Sequence, residues 1–279
     1  MQHAIVLPVS DARRCANWAA QAEAAGWDGV FTFDAVAIPG TDLDDPWITL
    51  AAMAMQTRRI RLGAMVFAPS RRRPWLFAKE AVTLDRLSGG RLILAVGLGA
   101  LDDRGFGVVG EPMTARARAE LLDETLAITE GLGRGEPFGF TGAHYQFEPL
   151  TLQPAAVQQP RIPVWTIGAW PHEKSLRRAL RWDGMVVQAP AGRQSSEPAL
   201  IAEVAAWIRA HRDPGPGAGG QPFEIVVDGI TPADDPAAAA ATTQAAADAG
   251  ATWWIEADWS PEAAAVLEAR IAAGPPRTR

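Results

Sequence analysis

The sequence has little lysine and almost no cysteine. Lys79 and Lys174 are the only lysines, so arginine supplies nearly all of the charge carried by the 26 basic residues. Cys15 is the only cysteine, which excludes an intramolecular disulfide and a zinc site built from clustered cysteines. With 32 acidic residues the formal net charge is −6, which argues against nucleic acid or an anionic membrane as the main partner.

Targeting and membrane-spanning patterns are also missing. The first nine residues are typical of a β-strand and do not form a charged leader followed by an apolar core. No apolar stretch is long enough to cross a bilayer. We therefore expect a cytoplasmic protein without a membrane partner.

Common signatures of metal and nucleophilic catalysis are absent from the sequence. None of the four histidines has another histidine, a cysteine or an acid at a metal-ligand spacing, so we predict no metal site. There is no G-x-S-x-G motif, and neither lysine ends a predicted strand, which argues against a Schiff-base aldolase. The segment GLGALD is not a dinucleotide fingerprint, because Asp102 occupies the position of the third glycine.

Short strand-like segments alternate with longer amphipathic segments along the chain. Eight strand patterns and eight helical patterns follow one another, and several helical patterns end at glycine, as in AAG before WDG at residues 24–29. The alternation is typical of an α/β fold, either a (β/α)8 TIM barrel or a doubly wound parallel sheet. The number and even spacing of the segments favour the barrel.

Two segments interrupt this alternation. Residues 135–160 are too long and too rich in proline and glycine for an ordinary connection, so we predict an insertion before the fifth barrel strand. Residues 212–222 are typical of a flexible connection. We predict one barrel domain over residues 1–274 and a flexible C-terminal tail over residues 275–279.

Asp34 ends the second predicted strand, and active sites of TIM barrels lie at the carboxyl ends of their strands. We expect its carboxylate to point inward. It is either a structural acid bonded to neighbouring backbone N–H groups, which we favour, or a general base. Glu256, near the end of the last strand, is a further candidate acid.

Other strand ends allow two interpretations each. Ala95, Gly97 and Gly99 share one face of the fourth strand, and they either leave space for a flat ligand or reflect tight packing or a bulge. The fifth strand ends at Gly168 and passes into a helix whose N–H groups could hold a phosphate beside Lys174 or Arg177, with a plain turn as the favoured alternative. We expect the three arginines at residues 71–73 to lie in a solvated loop.

Six blocks of sequence carry a family resemblance. The most specific parts are LDRLSGGRLILAVGLG (84–99) and QPAAVQQPRIPVW (153–165). The blocks that extend the match are AEAAGWDGVFTFD (22–34), DPWITLAAMAMQTRRIRLGAMV (45–66), RRALRWDGMV (177–186) and AGATWWIEA (249–257). In these blocks the chain resembles the bacterial-luciferase-like superfamily of flavin- and deazaflavin-dependent oxidoreductases. The resemblance runs along nearly the entire chain.

This resemblance implies a luciferase-type barrel with FMN or the deazaflavin coenzyme F420 across its mouth. It implies a cis peptide bond at about Met65–Val66, pressing on the cofactor ring, and a phosphate beside the fifth strand. It also implies a homodimer formed through the helices after strands two and three. The implied cofactor-binding residues are Asp34, Met65, Val66, Gly97, Leu98, Gly99, Gly168, Ala169 and Trp170.

Two positions depart from the family pattern. Ala35 stands where deazaflavin-dependent relatives commonly have a histidine, and Ala100 stands where some relatives have a glutamate. Both usual proton-handling residues are therefore missing, and Asp34 is the only candidate catalytic residue. The resemblance implies an oxidoreductase or monooxygenase acting on a small organic substrate, with a non-catalytic flavin- or ligand-binding protein as the alternative.

Overall fold

A closed parallel barrel is the main feature of the computed structural model, which describes residues 1–8, 11–100, 102–212, 222–260 and 262–276. The barrel strands have the spatial order β1-β10-β9-β8-β7-β4-β3-β2, and β5 pairs with β6 in a separate hairpin. The strands of the described residues are β1 (Gln2–Val6), β2 (Gly29–Thr32), β3 (Arg61–Ala64), β4 (Leu92–Val96), β5 (Phe138–Thr141), β6 (Gln146–Leu150), β7 (Val164–Ala169), β8 (Gly184–Gln188), β9 (Glu224–Gly229) and β10 (Trp253–Glu256).

The strand register shows that the sheet is closed. Ile5 of β1 lies opposite Val30 of β2 on one side and opposite Glu256 of β10 on the other, and both pairings are parallel. An open doubly wound sheet would leave two edge strands. The predicted (β/α)8 barrel is confirmed, with β7 as its fifth strand.

Each barrel strand is followed by a helix, and several of these helices carry the expected signals at their ends. Asp45 caps the second helix by accepting N–H bonds from Trp47 and Ile48, and Gly26 ends the first helix in the left-handed conformation, at φ 90°. The helices are α1 (Ala12–Ala25), α2 (Pro46–Gln56), α3 (Pro74–Ser88), α4 (Ala115–Gly133), α5 (Glu173–Ala179), α6 (Pro198–His211), α7 (Pro236–Ala249) and α8 (Ala263–Ala273). Among the described residues, none of these helices combines the length and apolar character that a bilayer crossing needs.

Aromatic rings fill the interior of the barrel. Phe31 stacks on Trp165 with ring centroids 5.9 Å apart, and Trp165 meets Trp253 at 5.1 Å. Trp254 lies on the opposite face of β10 and packs in the layer between the strands and the outer helices. Successive residues of a strand face alternate layers, so Val30 and Thr32 face the helices when Phe31 faces the barrel axis.

The predicted insertion is present as the β5–β6 hairpin and the loop that follows it. The Trp75 ring meets the rings of Tyr145 and Phe147 of the hairpin edge to face, with ring centroids 6.2 Å apart in both pairs. The insertion therefore covers the start of α3.

Two expectations concern segments that the structure describes only in part. Of the predicted connection at residues 212–222, positions 213–221 lie outside the described residues. Of the predicted tail, Pro276 is buried and its carbonyl accepts a 2.8 Å hydrogen bond from the Thr243 hydroxyl, so packed structure continues past residue 274. Residues 277–279 lie outside the described part.

Candidate active site at the barrel mouth

A cavity of about 620 Å³ opens at the carboxyl ends of the barrel strands. Near the barrel axis its lining is apolar and includes Val6, Val66, Ile167 and Val186. From there it extends to the ends of β4 and β7 and to side chains of α4 and α5. We call this space the first cavity.

Arg118 of α4 lies at the far end of the first cavity and is buried, with 2% of its surface exposed. Its Nη1 donates a 2.9 Å hydrogen bond to the carbonyl of Leu98, and its guanidinium carbon lies 4.6 Å from the ring centroid of Phe106. The buried Nε has no partner, and no carboxylate of the described residues lies within 4.0 Å of the guanidinium. A buried charge without a counter-ion is costly, so this end of the cavity favours an anion.

Six more polar side chains line the first cavity, and three of them, Gln188, Ser195 and Asp228, belong to or contact β8 and β9, where the Ser195 hydroxyl donates a hydrogen bond to the Asp228 carboxylate. Arg178 reaches the cavity while donating two hydrogen bonds to the carboxylate of Asp123. Ser175 contributes its hydroxyl, and the buried hydroxyl of Thr166 lines the cavity without a hydrogen-bond partner. The first cavity therefore combines an apolar end with a cationic, hydrogen-bonding end.

The residues expected to bind a cofactor divide into two groups. Gly168 does not line the cavity, because a Cβ there would lie 2.4 Å from the sulfur of Met185, and Trp170 packs in the outer layer. Asp34 lines a different cavity, described below. Those that line the first cavity are Met65, Val66, Gly97, Leu98, Gly99 and Ala169. The peptide bond between Met65 and Val66 is cis, as the resemblance implied.

The structure does not support a phosphate site at the backbone that follows β7. The N–H of Ala169 donates to the Ser175 hydroxyl and the N–H of Trp170 donates to the carbonyl of Gln188, so neither is available. Lys174 and Arg177 are not part of the cavity lining, and Arg177 pairs with a glutamate one helical turn earlier. The cations that do reach the cavity come from other positions, Arg118 and Arg178.

The glycines that end β4 are explained by tight packing as well as by the cavity. A Cβ at Gly97 would lie 2.8 Å from Cγ2 of Val66 and 3.0 Å from Cγ1 of Ile167. Gly99 has φ +85°, and a Cβ there would lie 2.6 Å from the Phe106 ring. Of the two interpretations of this face, close packing holds at both glycines, and their backbone also borders the first cavity.

Asp34 lies just beyond the end of β2 and lines a cavity at the barrel mouth. Its side chain has no exposed surface. Its carboxylate accepts hydrogen bonds from the backbone N–H of Ala68 at 2.9 Å and from Arg71 Nη2 at 2.7 Å. The carboxylate is thus fully occupied by protein groups.

The expectation of a solvated loop is wrong for Arg71 and Arg72, whereas Arg73 is exposed as expected. The Arg71 side chain is only 4% exposed and bridges Asp34 to Asp103, and Arg72 makes a second ion pair with Asp34 at 3.2 Å. Three consecutive arginines at the start of a helix oppose the helix dipole, because that end of the helix favours negative charge. The buried acids Asp34 and Asp103 provide this negative charge. Phe106 also packs against Arg71, at 4.9 Å, and so connects this network to Arg118.

Asp103 was not among the residues that the sequence singled out. Burial alone would raise the pKa of its carboxyl, but hydrogen bonds from the N–H groups of Ala37, Gly105 and Val36, with the charge of Arg71, bring that pKa below its ordinary value. Asp103 therefore stays ionised and holds residues 36–37 against the loop after β4. Its only sequence signal is a pair of acids shortly after the glycines of β4.

Glu256 does not reach either cavity at the barrel mouth. Its carboxylate is buried and accepts hydrogen bonds from the backbone and hydroxyl of Thr231, from the Trp254 indole and from Arg270. Such a satisfied carboxylate has a structural role. No group of three or more potential metal ligands occurs in the part of the chain that the structure describes.

A second cavity, of about 800 Å³, adjoins the first. The two share Met65, Val66, Gly99 and Trp259, so these residues form a common wall. Other residues that line the second cavity are Phe33, Asp34, Ala35, Ile38, Ala100 and Asp102.

Residues 2–277 match the sequence model of the luciferase-like monooxygenases. This chain belongs to that family. An uncharacterized protein of Mycobacterium tuberculosis is 33% identical to this luciferase-like protein over 170 residues, which are 61% of the present chain and 58% of the mycobacterial one. The match thus spans less than two thirds of that relative.

Solved structures of enzymes share this fold. The coenzyme F420-dependent tetrahydromethanopterin reductase of Methanopyrus kandleri superposes with a TM-score of 0.76 over 98% of both chains, at 16% identity. The oxygenating constituent of 3,6-diketocamphane monooxygenase of Pseudomonas putida, in complex with FMN, gives 0.65 at 16% identity, over 83% of this chain and 67% of its own. At these identities the likeness establishes the barrel fold.

The first cavity fits a cofactor of the kind that this family implies. FMN and F420 each combine a flat three-ring system with at least one phosphate group. The apolar axis matches the rings, and the unpaired Arg118 and the orphaned Thr166 hydroxyl match a polar, anionic group. Arg118 and Arg178 are the side chains that would hold that group.

Proposed function

We propose that this luciferase-like protein is an oxidoreductase that binds FMN or coenzyme F420 in the first cavity and acts on a small organic substrate. The observation that carries the proposal is the buried, uncompensated Arg118 at the polar end of a cavity whose other end is apolar. A phosphate there would neutralise the guanidinium and accept hydrogen bonds from it.

The side chains of the first cavity have separate tasks in this proposal. Arg118, Arg178 and Ser175 bind and orient the phosphate end, and the apolar residues Val66 and Ile167 hold the ring system and exclude water from it. When bound, the cofactor supplies hydride transfer or, in the case of a flavin, reaction with oxygen. The wall shared by the two cavities would place the ring next to a substrate.

Titration of the purified protein with FMN and with F420, followed by absorbance and fluorescence, tests the proposal directly. We expect one of them to bind, and we expect Arg118→Met to weaken that binding by about 10- to 100-fold, since a hydrogen-bonded ion pair is lost. Arg116→Met is the matched control, because Arg116 lies on the same helix with its side chain 90% exposed and should leave binding unchanged. Failure of both cofactors to bind would refute the proposal.

A non-catalytic cofactor- or ligand-binding protein is the second candidate. Ala35 and Ala100 favour it, because both line the second cavity and neither can transfer a proton. The two candidates differ in turnover. An enzyme oxidises or reduces test substrates with the reduced or oxidised cofactor, whereas a binding protein holds the cofactor with no turnover of any of them.

A further inference from the structure

The second cavity differs in charge from the first. The first cavity is lined by two arginines and one aspartate, Asp228, whereas the described lining of the second contains no arginine, lysine or histidine. Its acidic residues are Asp34 and Asp102. Asp34 is neutralised by Arg71 and Arg72, so the net negative charge of this cavity belongs to Asp102.

Asp102 lies where a ligand would meet it. The residue is exposed, and no cationic side chain of the described residues forms an ion pair with it within 4.0 Å. An anion brought into this cavity would lose hydration, gain no positive partner and be repelled by Asp102. An uncharged molecule meets no such penalty.

Apart from Thr41 and Ser260, the remaining side chains of the lining are apolar and suit a bulky apolar molecule. The rings of Phe33 and Trp259 meet edge to face with centroids 5.9 Å apart, and Trp259 is 51% exposed, so part of its ring surface is free for contact. Ala35 and Ala100 have small side chains, so both leave room for a ligand in the second cavity.

We infer that the second cavity takes a bulky, largely apolar substrate without negative charge, and that Asp102 is the residue that excludes anions. This inference rests on the proposed function, because it treats the wall of Met65, Val66, Gly99 and Trp259 as the boundary between cofactor and substrate. The substrate class follows from the cavity itself and can be tested without turnover.

Calorimetric binding of 2-naphthol and 2-naphthoate tests the inference, since these probes share a ring system and differ in charge at neutral pH. The protein is titrated both alone and with whichever of FMN and F420 it binds. We expect 2-naphthol to bind at least about tenfold more tightly than 2-naphthoate. Asp102→Asn should bring that ratio down to about threefold by improving the affinity for 2-naphthoate.

A variant with a larger side chain in the second cavity tests whether the probes bind there. Ala100→Phe should weaken 2-naphthol binding by at least about fivefold because the new ring occupies the cavity. Ala206→Phe, at an exposed position of α6 far along the chain, is the matched control and should leave the affinity unchanged. Far-ultraviolet circular dichroism checks that each variant is folded.

Several outcomes would overturn the inference. They are absence of binding by 2-naphthol, equal affinity for the two probes, an unchanged ratio in Asp102→Asn, and an unchanged 2-naphthol affinity in Ala100→Phe. A protein that binds neither FMN nor F420 yet keeps the probe preference would instead refute the proposed function and leave the charge selectivity of the cavity in place.

Discussion

The carboxylate of Asp34 lies 2.7 Å from Nη2 of Arg71, and neither side chain has more than 4% of its surface exposed. Arg71 continues this contact to Asp103, so a buried acid–base–acid chain joins the end of β2, the loop before α3 and the loop after β4. Those three segments border the two cavities at the barrel mouth. The chain of charges therefore supports the site, and Asp34 is its member that lines the second cavity.

Asp34→Asn should destabilise the protein. The substitution keeps an oxygen for the Ala68 N–H but removes the charge that faces Arg71 and Arg72, and uncompensated buried charge costs about 3 kcal/mol in the free energy of unfolding. Urea unfolding followed by tryptophan fluorescence measures this loss, and cofactor affinity should fall with it. Asp42→Asn, at an exposed position, is the control. Loss of turnover at unchanged stability would instead make Asp34 a general base.

Gly97→Leu should weaken cofactor binding by at least about tenfold, because overpacked side chains shift the surrounding wall. A Cβ at this position already lies too close to Val66 and Ile167, two residues of the first cavity. Absorbance titration with FMN and F420 measures the effect. In Gly133→Ala, where the nearest atom to the new Cβ is 4.0 Å away, affinity should stay at the wild-type value. If Gly97→Leu is folded and binds the cofactor with wild-type affinity, the cofactor does not bind beside Gly97.

Cys15 should make stability depend on alkaline pH. Burial raises the pKa of its thiol to about 11 from an ordinary value of 9.0. Between these values the unfolded chain releases the thiol proton and the folded protein keeps it, so stability is complete below pH 9 and falls as the pH approaches 11. Relative to Cys15→Ala, the wild type should lose roughly 2–3 kcal/mol over this range. If the free energy of unfolding depends on pH in the same way in both proteins, the pKa of the Cys15 thiol is not raised by burial.

We also expect a homodimer, through the helices α2 and α3. Ile48 and Met55 are seven residues apart on one face of α2 and are 65% and 61% exposed, which is unusual for side chains that only meet water. Ile48→Glu should shift the protein to monomer in sedimentation velocity. Val109→Glu, at a similarly exposed apolar residue (63%), should not. A wild-type monomer at every concentration would rule the dimer out.

The elements of the fold were predictable because their signals are local. Alternating apolar residues, helix caps such as Asp45 and chain-ending glycines such as Gly26 act within a few residues, and all eight strands and eight helices of the barrel lie where these patterns placed them. The family resemblance adds the cis bond at Met65–Val66.

The partners of the charged residues were decided only by the tertiary structure. Asp34 and Arg71 are 37 residues apart, and a local sequence pattern does not show which distant charges will pair. The burial of Arg71 was therefore missed. The position of Arg118 in the cavity lining was missed too, because no motif in α4 indicates it. By itself the sequence determined a (β/α)8 barrel with an open mouth. Folding decided which charges neutralise one another behind that mouth and which one, Arg118, remains uncompensated within it, because such pairings depend on the packing of segments that are distant in the chain.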